Sequence, residues 1–214
     1  MASSGLTLYS AGTPNGYKIT ILLEELGLTY EKQPSYLEIN PNGRVPAMVD
    51  HDNKGLALFE SGNIMLYLVE RYGKGRLLGL TDAERYTITG WLFWQMSALG
   101  PTFGQIFDTT YFVKPVNTAM LERIKAEASR QLGVMEAALA KHKYLAGETY
   151  SIADIACFPL VASMAVLGLS VYDFPHLAKW TTEILGRPAG ALMSGNVEVY
   201  TKIVNNVMAV QQAV

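Results

Sequence analysis

Val45-Pro46-Ala47 and, fourteen residues beyond the proline, Glu60-Ser61-Gly62 are two short motifs set at opposite ends of a pair of strands. Val45 precedes a proline that opens a strand. A cis Val45-Pro46 bond turns the Val45 N–H and C=O outward, where an extended peptide lying beside the sheet edge pairs with them. Glu60 and Ser61 close an apolar strand, Leu56-Ala57-Leu58-Phe59, and open a helix carrying Ile64, Met65, Leu68 and Tyr72. Free N–H groups, a hydroxyl and a carboxylate therefore converge at one point, which suits an amino-acid head group bearing both charges. Alone, each dipeptide reads as a turn and a helix cap; in this order and spacing they read as one binding surface.

Upstream, Leu6-Thr7-Leu8-Tyr9 alternates as a strand does, and Thr13-Pro14 places an N-cap before a proline at the first helical position. The helix that follows has Ile19, Leu22, Leu23 and Leu26 on its apolar face and stops at Gly27. A strand is expected from Thr29 to Ser35, then the turn Asn40-Pro41-Asn42-Gly43, a strand over Pro46 to Asp50, and a break at Asp52-Asn53-Lys54-Gly55. The order strand, helix, strand, strand, strand, helix suits a thioredoxin-like unit.

Gly73-Lys74-Gly75-Arg76 through Thr81-Asp82 is rich in turn formers, and no strong strand pattern follows it. The boundary is set there, giving 1–79 as the α/β domain and 80–214 as an all-helical one. Thr81-Asp82-Ala83-Glu84 opens a helix with Trp91, Phe93 and Trp94, which Gly100-Pro101 is expected to kink or interrupt. Leu121, Ile124, Ala128, Leu132, Met135 and Leu139 recur at three- and four-residue intervals, predicting a long helix with one buried face. Ser151-Ile152-Ala153-Asp154 has the form of a capping box with Asp for Glu, flanked by Tyr150 and Ile155 as a hydrophobic staple.

The 214 residues are 50% hydrophobic and 17% charged, enough for well-filled cores and far too apolar for disorder. A net charge of -2 leaves no surplus of Lys and Arg to neutralise phosphates, which argues against nucleic acid as a partner. The first residues lack a secretory pattern and no segment reaches 18 unbroken apolar residues, so a cytoplasmic protein without a membrane partner is expected. Cys157 is the only cysteine, and His51, His142 and His176 are scattered; an internal disulfide is excluded and no metal is expected. Cys157, inside Ile155-Ala156-Cys157-Phe158, reads as a small buried apolar residue.

Over nearly its whole length the chain resembles the cytosolic glutathione transferases: a thioredoxin-like half with Val-Pro and Glu-Ser, a short linker, and a helical half with the Ser-x-x-Asp box. Gly12-Thr13-Pro14-Asn15-Gly16-Tyr17-Lys18 and Asn40-Pro41-Asn42-Gly43-Arg44-Val45-Pro46-Ala47 are similar to the Ure2p-like and nu-class group. The resemblance implies a homodimer that binds glutathione as co-substrate in the first half and takes a small electrophile, hydroperoxide or mixed disulfide between the halves. It implies a transferase, with peroxidase or disulfide-reductase activity as further options; a glutathione-binding regulatory module with little turnover is the competing class.

On that footing the residues acquire roles. A thiol of pKa about 8.5 is mostly protonated at neutral pH, and its anion is the nucleophile. Lowering the pKa by about two units takes roughly 2.7 kcal/mol, within reach of a helix N-terminus plus one or two hydrogen bonds. Asn15 and Thr13 stand at such a start and are the expected thiolate stabilisers, with Ser10 and Tyr9 as rivals; Thr13 also reads as a plain helix cap. Glu60 and Ser61 take the γ-glutamyl end, Val45 and Pro46 the peptide backbone, and Arg44 the glycine carboxylate. Some members use a histidine upstream of the proline for part of that contact, and none lies between Tyr17 and Val45. Tyr17, Trp94, Phe103, Phe107, Tyr111 and Phe112 are the candidate lining of the electrophile pocket.

Overall fold

The computed structural model describes residues 5–33 and 39–194. Strand β1 (Leu6–Tyr9) leads to helix α1 (Pro14–Leu26), then β2 (Glu31–Gln33), β3 (Ala47–Asp50), β4 (Leu56–Phe59) and α2 (Ser61–Tyr72), the order read from the sequence. The expected strand over Thr29 to Ser35 is realised as β2; residues 34 and 35 lie outside the described ones. The sheet order is β2-β1-β3-β4, with β1 and β2 parallel and the other pairs antiparallel.

α1 forms where its punctuation says. Thr13 Oγ1 accepts from the Gly16 N–H at 3.2 Å, Pro14 occupies the first helical position, and Gly27 at φ +69° closes the helix in the left-handed conformation that glycine adopts without strain. Ile19, Ile21, Leu22 and Leu23 are fully buried, so α1 is an interior helix. It packs against α2, which covers β3 and β4, and against α6 of the second half.

That half contains α3 (Asp82–Trp94), α4 (Gly100–Tyr111), α5 (Thr118–Leu139), α6 (Ile152–Ala162) and α7 (Pro175–Leu185). The helix opened by Thr81 and its capping-box partner Glu84 is not broken at Gly100-Pro101. It runs from α3 into α4 through a π-helical segment, Gln95–Leu99, whose wider turn sits just before the residue that lacks an N–H. The face read for α5 is borne out: Ala128, Leu132, Met135 and Leu139 are buried and Leu121 and Ile124 pack against the core.

The box at the start of α6 is buried. Asp154 accepts from Ser151 N, Leu145 N and Trp180 Nε1 at 3.0, 3.0 and 2.9 Å and from Ser151 Oγ at 3.3 Å. Burial pushes its carboxyl up to about 6, and these four donors pull the other way. The halves are tied by the Arg187 guanidinium, which grips Glu25 of α1 with two bonds of 2.7 and 2.8 Å; within the first half, Arg76 donates to the Glu25 and Leu26 carbonyls at the end of α1.

Candidate functional site

The loop before β3 is braced from within. Buried Asn40 accepts from Asn42 N at 2.9 Å and donates to the Arg44 carbonyl at 2.6 Å, while its own carbonyl accepts from Gly43 N at 2.8 Å. Arg44 is thereby held outward on the loop. The Val45-Pro46 peptide is cis, and among the described residues the Val45 N–H and C=O have no hydrogen-bond partner.

Beyond β4 the backbone turns sharply. Glu60 has φ +68°, a left-handed value unusual for a residue with a Cβ, and costs about 1–3 kcal/mol that the surroundings offset. The exposed Glu60 side chain makes no capping hydrogen bond, so the N–H groups of the first turn of α2 are not taken by it. Ser61, the first residue of α2, is buried, and its hydroxyl donates to Met96 Sδ at 3.7 Å.

The start of α1 approaches the same region. Gly16 sits so close to the preceding loop that a Cβ would fall 2.3 Å from Ser10 Oγ and 2.4 Å from the Ala11 carbonyl. With Thr13 Oγ1 committed to capping, Thr13 keeps its hydroxyl hydrogen to donate. Asn15 is exposed, its amide unpaired among the described residues. Ser10 is buried with its hydroxyl on the Ala11 carbonyl, and Tyr9 belongs to β1; neither lines the cavities described next.

Two cavities meet at Asn15. A polar cleft of about 1070 Å³ is walled by Asn15, Asn42, Arg44, Glu60, Ser61 and the facing residues of α4. A smaller cavity of about 240 Å³ contains Thr13, Pro14, Asn15 and Arg44 and is otherwise mostly apolar, with Phe103, Phe107, Leu160 and Leu167. Asn15, Arg44 and Phe107 belong to both. Phe103, Phe107 and Phe112 of the six aromatic candidates line these cavities. The other three are engaged elsewhere: the Lys32 ammonium lies over Tyr17, Trp94 packs edge-on against Trp91 with ring centres 5.2 Å apart, and the Tyr111 hydroxyl donates to the Val166 carbonyl at 2.7 Å. Among the described residues no group of three His, Cys, Asp or Glu side chains is arranged to hold a metal.

Two members of the cleft floor had no role in the sequence reading. Lys18 on α1 is 1% exposed and donates to the Oε1 of buried Gln95, in the π segment, at 2.8 Å. Burial lowers its amine to about 7, against the weaker opposing effects of Cys157 and Glu60. The signal available was spacing: Lys18 precedes Ile21 and Leu22 by three and four residues, on the stripe that faces the core. Cys157 is buried as expected, and burial pushes its thiol up, so it stays protonated.

Chemically, this is a donor-rich recess lined also by the Glu60 and Asp108 carboxylates, adjoining an apolar pocket across a helix N-terminus. Comparison with known proteins gives the same outline. Residues 4–70 match the glutathione S-transferase N-terminal domain and residues 99–188 the glutathione S-transferase C-terminal domain. The disulfide-bond oxidoreductase YfcG of Escherichia coli is 38% identical over 86% of this chain and 92% of its own length. The transcriptional regulator URE2 of Saccharomyces cerevisiae is 32% identical over 86% of this chain and 66% of its own. Among solved structures, the glutathione transferase URE2P6 from Phanerochaete chrysosporium in complex with oxidized glutathione superimposes with a TM-score of 0.82 at 34% identity, covering 95% of this chain and 98% of that one. With both halves matched in order and a relative covered almost end to end, the chain belongs to the glutathione S-transferase family.

Proposed function

We propose that the protein is a glutathione-dependent enzyme that activates the glutathione thiol at Asn15 and uses it to reduce small disulfides, with conjugation to electrophiles and reduction of hydroperoxides as side activities. The observation that carries this reading is the position of Asn15 on the shared wall of a polar cleft and an apolar pocket. In this reading residues 1–79 bind glutathione and 80–214 complete the electrophile pocket. The Glu60 carboxylate accepts from the γ-glutamyl ammonium, and the Ser61 hydroxyl and N–H meet its α-carboxylate at the head of α2. Val45 pairs with the cysteinyl backbone beside Pro46, and Arg44 faces the glycine carboxylate. The thiol then falls at the start of α1, where the Asn15 amide, the Thr13 hydroxyl and the helix dipole stabilise its anion.

The thiolate attacks one sulfur of the disulfide and expels the other as a thiolate, leaving a mixed disulfide with glutathione. A second glutathione thiolate attacks that, releasing the substrate thiol and oxidised glutathione. The name of the Escherichia coli relative and the ligand of the Phanerochaete structure support disulfide exchange over conjugation alone. Turnover of hydroxyethyl disulfide with glutathione, measured beside a chloronitrobenzene and cumene hydroperoxide, tests it. The disulfide is expected to be the best substrate of the three, and a rate at the uncatalysed background overturns this assignment.

A second reading, a glutathione-binding regulatory module, is favoured by the relative described as a transcriptional regulator. Calorimetric glutathione binding with no turnover on any of the three substrates selects it.

The working form is proposed to be a homodimer. β4 is a sheet edge with Phe59 39% exposed, and Phe93 on α3 is 61% exposed, large apolar side chains that a second copy would cover.

A further inference from the structure

The floor of the polar cleft holds more donors than acceptors. Lys18 Nζ donates to Gln95 Oε1 at 2.8 Å and lies 3.4 Å from Ser61 Oγ. An amine facing the Gln95 amide fixes that amide oxygen-first, and Gln95 Nε2 is left without a partner. Ammonium, amide and Ser61 hydroxyl thus crowd together beneath the start of α2, and all three side chains line the cleft. Little negative charge compensates them. From the head of α2 the exposed Glu60 carboxylate faces Lys18, and from α6 the Cys157 thiol, which burial keeps protonated. The short turn Gly190–Met193, also packed on α1, carries no ionisable side chain. A buried cation with surplus donors around it calls for an anionic acceptor, and the hydroxyl it touches is the one at the mouth of the head-group site.

We propose that Lys18 is a positioning residue for the ligand's α-carboxylate: held by Gln95 beside the Ser61 hydroxyl, its ammonium supplies the buried positive charge that draws the carboxylate in. The proposal rests on the placement of the γ-glutamyl end given above. Burial lowers the Lys18 amine to about 7, so part of the unliganded population is neutral near that pH. A carboxylate arriving beside it favours the charged form, and binding therefore takes up a proton from solution. Affinity is greatest below about pH 7 and falls as pH rises through the unliganded value.

The probe is S-methylglutathione, which has no thiol to titrate. Calorimetry in buffers of different ionisation enthalpy, from about pH 6.5 to 8.5, reads both Kd and protons exchanged. The unmodified protein is expected to take up protons and bind more weakly as pH rises. Lys18→Met is expected to bind about tenfold more weakly at the acid end and to lose the uptake, and Gln95→Leu, which frees the amine from its holder, to weaken binding by a smaller factor. A 4-aminobutanoyl analogue that lacks the α-carboxylate is expected to show no uptake with the unmodified protein. Equal uptake by Lys18→Met and the unmodified protein, or by the two ligands, overturns the proposal. So does pH-independent binding by the unmodified protein, a measurement that needs no variant to fold. Failure of the unmodified protein to bind S-methylglutathione at any pH overturns the glutathione reading itself and this proposal with it.

Discussion

Asn15 and Ser61 carry the sharpest residue-level expectations because each has one job in the proposed chemistry. Removing the Asn15 amide in Asn15→Ala is expected to raise the pKa of bound glutathione's thiol and to lower kcat/KM by about ten- to a hundredfold near pH 7, the loss shrinking as pH rises. A pH profile with an unshifted midpoint transfers the role to Thr13. Ser61→Ala removes a donor to a carboxylate, worth about 1.5–3 kcal/mol, and is expected to raise the glutathione KM about tenfold or more while leaving the fold intact. Lys18 has a stability signature of its own. In the unliganded protein its amine titrates at about 7, far below its value in the unfolded chain, so above that pH the unfolded state binds the extra proton and stability rises with pH. Urea unfolding at pH 7 and pH 9 is expected to show a gain of about 2 kcal/mol that Lys18→Met lacks.

At the scale of the element, the start of α6 is the part of the second half least able to tolerate change. Asp154→Asn keeps one acceptor oxygen but turns an amide N–H2 toward one buried pair of donors, either Leu145 N with Trp180 Nε1 or Ser151 N with its own hydroxyl. A loss of about 3 kcal/mol or more is expected, seen as a melting temperature lower by roughly 6–12 °C. This box, the Thr13-Pro14 start, the Gly27 stop and the cis Val45-Pro46 peptide were all legible in the sequence, because each is set by a local rule of capping or dihedral freedom. What was not legible depends on tertiary context. Lys18 stands on the stripe that faces the core, but what it does there shows only once α6 is seen packed on its helix. Gln95 matters only because a π-helical turn carries it under Ser61. Tyr17, Trp94 and Tyr111 share the aromatic spacing of Phe103 and Phe107, and only the crossing of α1, α4 and α6 separates those that line the cavities from those that pack away from them.

For the whole molecule, the exposed apolar side chains on β4 and on α3 predict the oligomeric state. Light scattering is expected to give twice 23.5 kDa, and Phe93→Glu to shift the population toward monomer by placing a charge in the contact. A stable monomer of the unmodified chain at micromolar concentration contradicts this. α1 has a different consequence. It carries the candidate thiol site at one end, it is gripped at the other by Arg187 and Arg76, and its flanks are occupied by α2 and α6. It is a wall shared by two rooms. Severing the chain in the linker would leave 1–79 with the buried surface of α1 bare to water, and the helical fragment with the matching face of α6. Neither piece is expected to stand alone, whereas mixing them should restore one molecule in which the wall, and with it the cleft, is rebuilt only by the two together.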